Sequence, residues 1–220
     1  MPKRLAVIWD WNGTLVDDAF LFVDIMNSFL LEHGLDKITV KDYKSVFGFP
    51  IKEYYLNLGF DFKNESFKSL GKRFIEKYKS RQFEPFLFDG VLDLLLFFKQ
   101  KNCKQFVVSA QENSLLKKSI KHYKLDMFFS NTFGVKNVFA KGKVDLALSL
   151  SKNFLNDSYE VFVIGDTLHD LEVAQSIGAT PVLVSYGHCN RNRLNKNKNI
   201  VVDSVKDLFD FFSNHDSLRL

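Results

Sequence analysis

The chain has 220 residues, 46% of them hydrophobic, which is enough for one buried core carrying a smaller inserted module. Its formal net charge of +4 is too weak to indicate nucleic-acid binding. The two cysteines, Cys103 and Cys189, give no disulfide framework, and the apolar run near the N-terminus is too short for a secretory signal or a membrane span. We therefore expect a cytoplasmic protein without a membrane partner.

The first predicted element is the strand Leu5-Ala6-Val7-Ile8-Trp9, which is apolar at every position. Such a run is typical of a strand buried on both faces at the centre of a parallel sheet. Asp10 follows at the carboxyl end, where open α/β sheets bind ligands. Gly13 allows a sharp turn there, and we assign the Thr14 hydroxyl to substrate binding. A carboxylate at a strand end can also cap the next helix, so Asp10 alone decides nothing.

The next stretch of the chain is predicted to be helical throughout. Apolar residues recur there at three- and four-residue steps, and no strand pattern interrupts them. The predicted helices cover residues 19–33, 39–47, 51–58 and 65–81. The sequence therefore predicts an all-helical insertion between the first strand and the remainder of the sheet.

The second half of the chain alternates strands with helices. Strands are predicted at residues 105–109, 132–134, 160–164, 181–185 and 200–202, and helices at 91–101, 114–123, 144–151, 171–177 and 205–212. This alternation favours an α/β fold, a doubly wound, Rossmann-like parallel sheet with helices on both faces. The polar stretch 190–199 is predicted to be a solvated surface loop rather than a nucleic-acid patch.

A second acidic motif repeats the pattern of the first. The apolar residues 161–164 precede Gly165-Asp166, and Asp170 follows four residues later. Because the carboxyl ends of parallel strands meet at one edge, Asp10 and Asp166 are expected to lie together. Strand-end carboxylates with a third one helical turn away suit a hard divalent cation, and Mg²⁺ is the cation we predict.

Together, Asp10-x-Asn12-Gly13-Thr14-Leu15 and Gly165-Asp166-x-x-x-Asp170 resemble the paired motifs of the haloacid dehalogenase-like (HAD) superfamily. More narrowly, they resemble its phosphoglycolate phosphatase-like branch, which has a helical cap. The resemblance implies a core domain of residues 1–16 and 85–220 and a cap domain, residues 17–84, that covers the active site and selects the substrate. It implies a phosphoric monoester hydrolase whose partner is a small-molecule phosphate ester.

The resemblance also implies roles for the acidic residues. Asp10 would be the nucleophile that forms an aspartyl-phosphate, and it would bind Mg²⁺ through its other oxygen. The backbone carbonyl of Asn12 and the side chain of Asp166 would complete the protein ligands of the metal. Asp170 would hold a metal-bound water or the neighbouring lysine.

Two further groups would bind the phosphate. The hydroxyl of Ser109 and the backbone N–H groups that follow it, at Ala110 and Gln111, are placed for phosphate oxygens at the same sheet edge. A lone serine after a strand is otherwise typical of a turn or helix cap. Lys143 is the predicted phosphate-site lysine and Lys141 is its rival, because both precede the last acidic motif as the family's lysine does.

Asn12 departs from the family pattern, which has an acid at this position. That acid protonates the leaving alcohol and then deprotonates the attacking water, and an amide can do neither. The protein is therefore a slow phosphatase, or a phosphatase for esters whose leaving groups need no proton. Otherwise it holds a long-lived phospho-Asp10, or it is a catalytically weak phosphate-binding or regulatory protein. His188 and Asp18 are the nearest candidates for another source of the proton.

Overall fold

A computed structural model of the chain describes residues 3–136, 142–195 and 199–215. Its strands are β1 (Arg4–Trp9), β2 (Val16–Asp17), β3 (Phe86–Leu87), β4 (Lys104–Glu112), β5 (Asn131–Val135), β6 (Tyr159–Gly165), β7 (Thr180–Val184) and β8 (Ile200–Val202). Six of them form one sheet in the order β5-β4-β1-β6-β7-β8. Every neighbouring pair in that sheet is parallel, as the alternating sequence predicts.

The described residues also form ten α-helices and a short 3₁₀ turn at Asp126–Phe128. Apart from α9 and the 3₁₀ turn, which the sequence does not predict, their bounds lie within a few residues of the predicted ones. The helices are α1 (Ala19–Glu32), α2 (Val40–Val46), α3 (Ile51–Asn57), α4 (Phe67–Arg81), α5 (Val91–Gln100), α6 (Asn113–His122), α7 (Lys143–Phe154), α8 (Leu168–Ser176), α9 (Arg191–Leu194) and α10 (Val205–Ser213).

The central strand β1 is covered on both faces, as its uninterrupted apolar run predicts. Val7 and Trp9 join one hydrophobic cluster with residues of α5, α6 and α10. Ala6 and Ile8 join another cluster with residues of α7 and α8. Because successive side chains of a strand point to opposite faces, this division shows helices on both sides of the sheet. The fold is therefore the predicted doubly wound α/β sheet.

The four helices α1 to α4 lie between β2 and β3, and we call them the helical insertion. They share an apolar cluster of their own, which is separate from those of the sheet and rich in aromatic residues: Phe29, Tyr43, Phe47, Tyr54, Tyr55, Phe60, Phe74 and Tyr78. The two connections to the sheet pair as a small antiparallel ribbon, with Val16 opposite Leu87 and Asp17 opposite Phe86. Strands of two residues have no periodicity, so the sequence does not predict this ribbon. The division into a core domain and a cap domain, residues 17–84, stays a prediction.

Within the stretch 190–199, residues 196–198 lie outside the described residues, and the described part differs from its prediction as a solvated loop. It contains the short helix α9, and Arg193 is only partly exposed. The Arg193 guanidinium donates a hydrogen bond to the carbonyl of Phe47, just past the end of α2. The prediction was wrong here because the last carbonyls of a helix lack partners within the helix and attract cationic donors from elsewhere in the chain.

No helix within the described parts of the chain is long and apolar enough to cross a membrane.

Candidate active site

Three carboxylates meet at the carboxyl edge of the sheet. Asp10 follows β1 and Asp166 follows β6, and these strands are neighbours in the sheet. Asp170 lies in the first turn of α8, and one oxygen from each carboxylate lies within 4.8 Å of the others. The exposed fraction is 8% for Asp10 and 0% for Asp166 and Asp170, so water does little to screen their mutual repulsion.

Lys143 joins two of these carboxylates. It is the first residue of α7, and its Nζ lies 2.7 Å from Asp10 Oδ1 and 2.6 Å from Asp170 Oδ1. Burial alone would lower the pKa of Lys143, but the two carboxylates outweigh burial and raise it, so the side chain stays charged. The structure thus brings this predicted lysine into the site. Its rival, Lys141, lies outside the described residues.

Asp170 has a structural part in the site. Its Oδ2 accepts hydrogen bonds from the backbone N–H of Thr167 at 3.0 Å and from the Thr167 hydroxyl at 2.7 Å, as the carboxylate of a capping box that begins α8. Its other oxygen binds Lys143. Burial raises the pKa of Asp170, yet Lys143 and Thr167 outweigh burial and hold it below its ordinary value. Of the two predicted contacts of Asp170, the structure shows the one with lysine.

The pKa values of Asp10 and Asp166 shift in the opposite direction to that of Asp170. Burial is the main cause that raises the pKa of Asp10 to about 6, with Asp170 adding to it and Lys143 opposing it. Burial likewise raises the pKa of Asp166 to about 7, with help from Asp10 and Asp170 and against the effect of His188. Two buried carboxylates with raised pKa values and only oxygen donors fit a hard divalent cation, which would relieve their repulsion.

These pKa values predict how Mg²⁺ binding depends on pH. Protons compete with the cation for Asp10 and Asp166, so we expect affinity to rise from pH 5 upward and to level off above about pH 8. Calorimetry in buffers of different ionisation heat should show protons released as Mg²⁺ binds. The Asp166→Asn variant should release fewer protons and bind more weakly. An affinity that is constant from pH 5 to pH 8 would contradict this site.

Two glycines allow the backbone to approach Asp166. Gly13 has a positive φ of 71°, and a Cβ at this position would lie 2.2 Å from Asp166 Oδ2. A Cβ on Gly187 would lie 2.1 Å from the Gly13 carbonyl oxygen. Both distances are far below van der Waals contact, so any side chain here would push apart the loops after β1 and β7. The predicted role of Gly13 in a tight turn agrees with this geometry.

The side chain of Asn12 is turned towards a buried acid. Its Nδ2 donates to Asp18 Oδ2 and lies 2.6 Å from the hydroxyl oxygen of Tyr78. Tyr78 in turn donates to Asp18 Oδ2 at 3.0 Å, and the backbone N–H of Gly13 donates to Asp18 Oδ1 at 3.1 Å. Asp18 is completely buried. The amide of Asn12 therefore faces a carboxylate, which a second carboxylate at this position would repel.

His188 extends this network to the loop after β7. Its Nε2 lies 3.1 Å from Asp18 Oδ1, and its Nδ1 lies 2.7 Å from the hydroxyl of Tyr43 on α2. Its backbone N–H donates to Asp166 Oδ2. Burial lowers the pKa of His188, but the hydrogen bond to Asp18 and the nearby carboxylates outweigh burial and raise it. His188 thus connects the helical insertion with the carboxylate cluster.

Some of the predicted phosphate-binding residues border the cavity, and one does not. Ser109, Ala110 and Gln111 border the cavity above Asp10, and the register between β4 and β5 shifts after Ser109. The Ser109 hydroxyl accepts a hydrogen bond of 3.0 Å from the Gln111 N–H, the turn contact that the alternative interpretation gave it. Thr14 is fully buried, with its hydroxyl 3.5 Å from Asp166 Oδ1, and it does not border the cavity.

A cavity lies between the helical insertion and the carboxylate cluster. It has about 1090 Å³ of empty space, counting the part that opens to solvent. Asp10, Asn12 and Asp166 form one end, and residues of the helical insertion, nine of them aromatic, form most of the remainder. The sequence analysis did not anticipate the contacts of Tyr43 and Tyr78, because helical spacing shows which residues share a face and not what that face meets.

Comparison with known families and proteins agrees with this geometry. The family model of haloacid dehalogenase-like hydrolases matches residues 7–184. The N-acetylmuramic acid 6-phosphate phosphatase of Pseudomonas putida is 25% identical over 92% of this chain and 93% of its own length. The phosphoglycolate phosphatase of Caulobacter vibrioides is 25% identical over 92% of this chain and 88% of its own length.

Solved structures share the fold. A protein from Clostridium acetobutylicum, described as a predicted phosphatase, superposes with a TM-score of 0.79 and 20% identity over 98% of this chain and 100% of that one. Protein Tyrosine Kinase A (PtkA) from Mycobacterium tuberculosis superposes with a TM-score of 0.78 and 22% identity over 95% of this chain and 98% of that one. At these identities the likeness shows the fold alone.

The fold and its edge of carboxylates define a doubly wound α/β protein with a buried acidic cluster whose donors fit a divalent cation. The chain belongs to the haloacid dehalogenase-like hydrolase family, because the family model covers most of its length. This confirms the family that the paired motifs predict.

Proposed function

We propose that the chain is a Mg²⁺-dependent phosphatase that hydrolyses a small phosphate ester through an aspartyl-phosphate on Asp10. The observation that carries the proposal is the placement of Asp10, Asp166 and Asp170 within 4.8 Å of one another, with Lys143 bridging two of them. The phosphatases among its relatives support the same class of reaction.

In the proposed reaction, an Asp10 oxygen attacks phosphorus and the bond from phosphorus to the ester oxygen breaks. Water then attacks the aspartyl-phosphate, which restores the carboxylate and releases inorganic phosphate. Lys143 offsets negative charge beside Asp10, and the Ser109 hydroxyl, which borders the cavity, would donate to a phosphate oxygen. Mg²⁺, held by Asp10, Asp166 and the Asn12 carbonyl, would offset the repulsion between the phosphate and the nucleophile.

Asn12 supports a second candidate, a catalytically weak phosphate-binding or regulatory protein. Its amide donates to Asp18 and carries no exchangeable acid proton for a leaving alcohol. Loss of general acid–base catalysis costs about 10² to 10⁴ in rate. The two candidate functions predict different results in an assay of aryl phosphate hydrolysis. The leaving group of such an ester departs without a proton. Turnover that needs Mg²⁺, stops in excess chelator and is lost in Asp10→Ala supports the phosphatase; binding without turnover supports the second candidate.

We also propose that the helical insertion is a cap, residues 17–84, that opens and closes over the cavity. Two contacts between α2 and the loop after β7 support this proposal. Lys44 Nζ donates to the Tyr186 carbonyl at 2.7 Å, and Arg193 donates to the Phe47 carbonyl. Closure of a cap excludes water and completes the contacts around a substrate. The Arg193 contact is the simpler one to remove, because the side chain lies partly at the surface.

Removing that contact is expected to favour the open state. We predict that Arg193→Ala speeds hydrogen exchange in α2 and raises KM for aryl phosphates about tenfold, the amount expected for a hydrogen bond to a charged group. Arg191→Ala is the matched control, because Arg191 lies on the same short helix and pairs with Asp203 instead. Equal exchange in α2 for both variants would show that the Arg193 contact does not hold the cap closed.

A further inference from the structure

The cavity beside Asp10 is lined by aromatic and aliphatic side chains. The helical insertion contributes Phe22, Met26, Tyr43, Phe47, Phe49, Ile51, Tyr54, Tyr55, Phe67, Phe74, Ile75 and Tyr78. No lysine or arginine is among the described residues that line it. The charged residues in the lining are the acids Asp10, Glu112 and Asp166, together with His188, which already binds Asp18. A second negative charge on a substrate would therefore be buried there without a cationic partner.

The arginines of α4 and Lys143 are each paired with carboxylates. On α4, Arg73 pairs with Glu32 and Glu65, and Arg81 pairs with Asp24 and Glu84. Lys143 lies beneath the cavity between Asp10 and Asp170, where it is committed to the reacting end. No cation of α4 is among the described residues that line the cavity.

Two neutral polar groups in the lining have no partner. The Tyr54 hydroxyl is buried without a hydrogen bond, in a residue that is 4% exposed. Both polar atoms of the Gln111 side chain are also buried without one. Unpaired buried polar groups are costly, so a ligand that brings a neutral donor or acceptor would be favoured. The aromatic wall and these two groups thus suit a ring that carries an uncharged polar substituent.

We infer that the cavity holds the leaving group of a phosphate monoester whose alcohol is uncharged and ring-bearing, and that it excludes alcohols carrying a carboxylate. This inference rests on the proposed phosphatase function, because it names the substrate class of the same site. It separates this chain from enzymes whose substrate is a small phosphorylated acid. The phosphate binds at Asp10, and the ring lies against the helical insertion.

A matched pair of substrates tests the inference. Phenyl phosphate and 3-carboxyphenyl phosphate have leaving groups of similar basicity and differ by one carboxylate. We expect kcat/KM to be at least about 10²-fold higher for phenyl phosphate, because the carboxylate would be buried unpaired. Equal values, or a preference for the carboxylate, would overturn the inference while leaving the phosphatase proposal intact.

A pair of variants tests whether the cavity wall causes the preference. Ile75 lines the cavity from α4, and Ile75→Lys would supply the missing cation. We expect Ile75→Lys to reduce the ratio of kcat/KM between phenyl phosphate and 3-carboxyphenyl phosphate at least about tenfold, because the new lysine would pair with the carboxylate. Leu56→Lys is the control, because Leu56 is 48% exposed and does not line the cavity. If Ile75→Lys and Leu56→Lys show the same preference for phenyl phosphate, the ring of the substrate does not lie against this wall of the cavity.

The hydrogen-bonding part of the inference has its own test. At least one of the 2-, 3- and 4-hydroxyphenyl phosphates should have a lower KM than phenyl phosphate, and Tyr54→Phe should remove that gain. Leu56→Lys, which changes a residue outside the cavity, should keep that gain. If no isomer gains over phenyl phosphate, the polar substituent is not part of the substrate class.

Binding without chemistry separates this inference from the proposed function. Phenylphosphonate and phosphonoacetate cannot be hydrolysed as esters, and calorimetry in Mg²⁺ measures both. We expect phenylphosphonate to bind at least about tenfold more tightly. Tighter binding of phosphonoacetate overturns the inferred substrate class whether or not the protein turns over an ester. The predicted binding order without turnover of any ester overturns the phosphatase function alone.

Discussion

Asp10→Asn is expected to lower kcat on aryl phosphates at least about 10⁴-fold, because the amide cannot form the aspartyl-phosphate. The chain should stay folded, since Lys143 keeps its contact of 2.6 Å with Asp170. Burial raises the pKa of Asp10 from 3.8 to about 6, so the ionised carboxylate lowers stability as pH rises through this interval, in full above about pH 6. Asp10→Asn should therefore melt at a higher temperature than the wild type in metal-free buffer at pH 8.

Asp145→Asn is the matched control for this substitution. Asp145 is an exposed acid in the first turn of α7, the helix that carries Lys143. The control makes the same chemical change close to the site, and it should keep nearly all activity. Steady-state kinetics and thermal melts of the wild type, Asp10→Asn and Asp145→Asn measure these differences. Wild-type kcat in Asp10→Asn would contradict the proposed nucleophile.

The second large effect is expected at Asn12. Asn12→Asp alone would set a carboxylate against Asp18, which already accepts from Gly13, Tyr78 and His188. Repulsion between the two buried acids would strain the pair. The double variant Asn12→Asp/Asp18→Asn keeps one amide and one carboxylate in contact and moves the acid to the leaving-group side. We expect alkyl phosphate hydrolysis to rise by an amount approaching 10² to 10⁴ in the double variant, and by less in the single one.

Aryl phosphates provide the internal control for this experiment, because nitrophenyl phosphate releases its leaving group without a proton. Its kcat should change little in the double variant while the alkyl ester gains. Asn12 precedes Gly13, so ageing can convert the amide into a carboxylate. The intact mass of each stock must therefore match the unmodified chain. An equal gain on both classes of ester would show that the new acid does not protonate the leaving group.

Much of the fold could be predicted because its signals are local. The apolar run of β1, the alternation of strands with helices and the three- and four-residue spacing of the insertion each depend on near neighbours in sequence. The ribbon of Val16–Asp17 and Phe86–Leu87 escaped prediction because two-residue strands have no periodicity. The early start of α8 at Leu168 also escaped, because Thr167 and Asp170 form a capping box inside the acidic motif.

Part of the candidate site could also be predicted from the sequence. Asp10 and Asp166 end adjacent parallel strands, so topology alone brings them together. The position of Asp18 between Asn12, Tyr78 and His188 could not be predicted, since it depends on how the helical insertion packs over the sheet edge. The sequence named Asp18 and His188 as proton donors by proximity, and that role stays a prediction.

The central claim, phosphoryl transfer to Asp10, is tested most directly by trapping the intermediate. Wild-type protein is mixed with radiolabelled phenyl phosphate and Mg²⁺, quenched in acid on the millisecond scale, and digested for mass spectrometry. We expect a burst of one phosphoryl group per chain, carried by the peptide that contains Asp10 and released by hydroxylamine, as an acyl phosphate is. Phenol release with no label on the chain, or with the label on another residue, would contradict it.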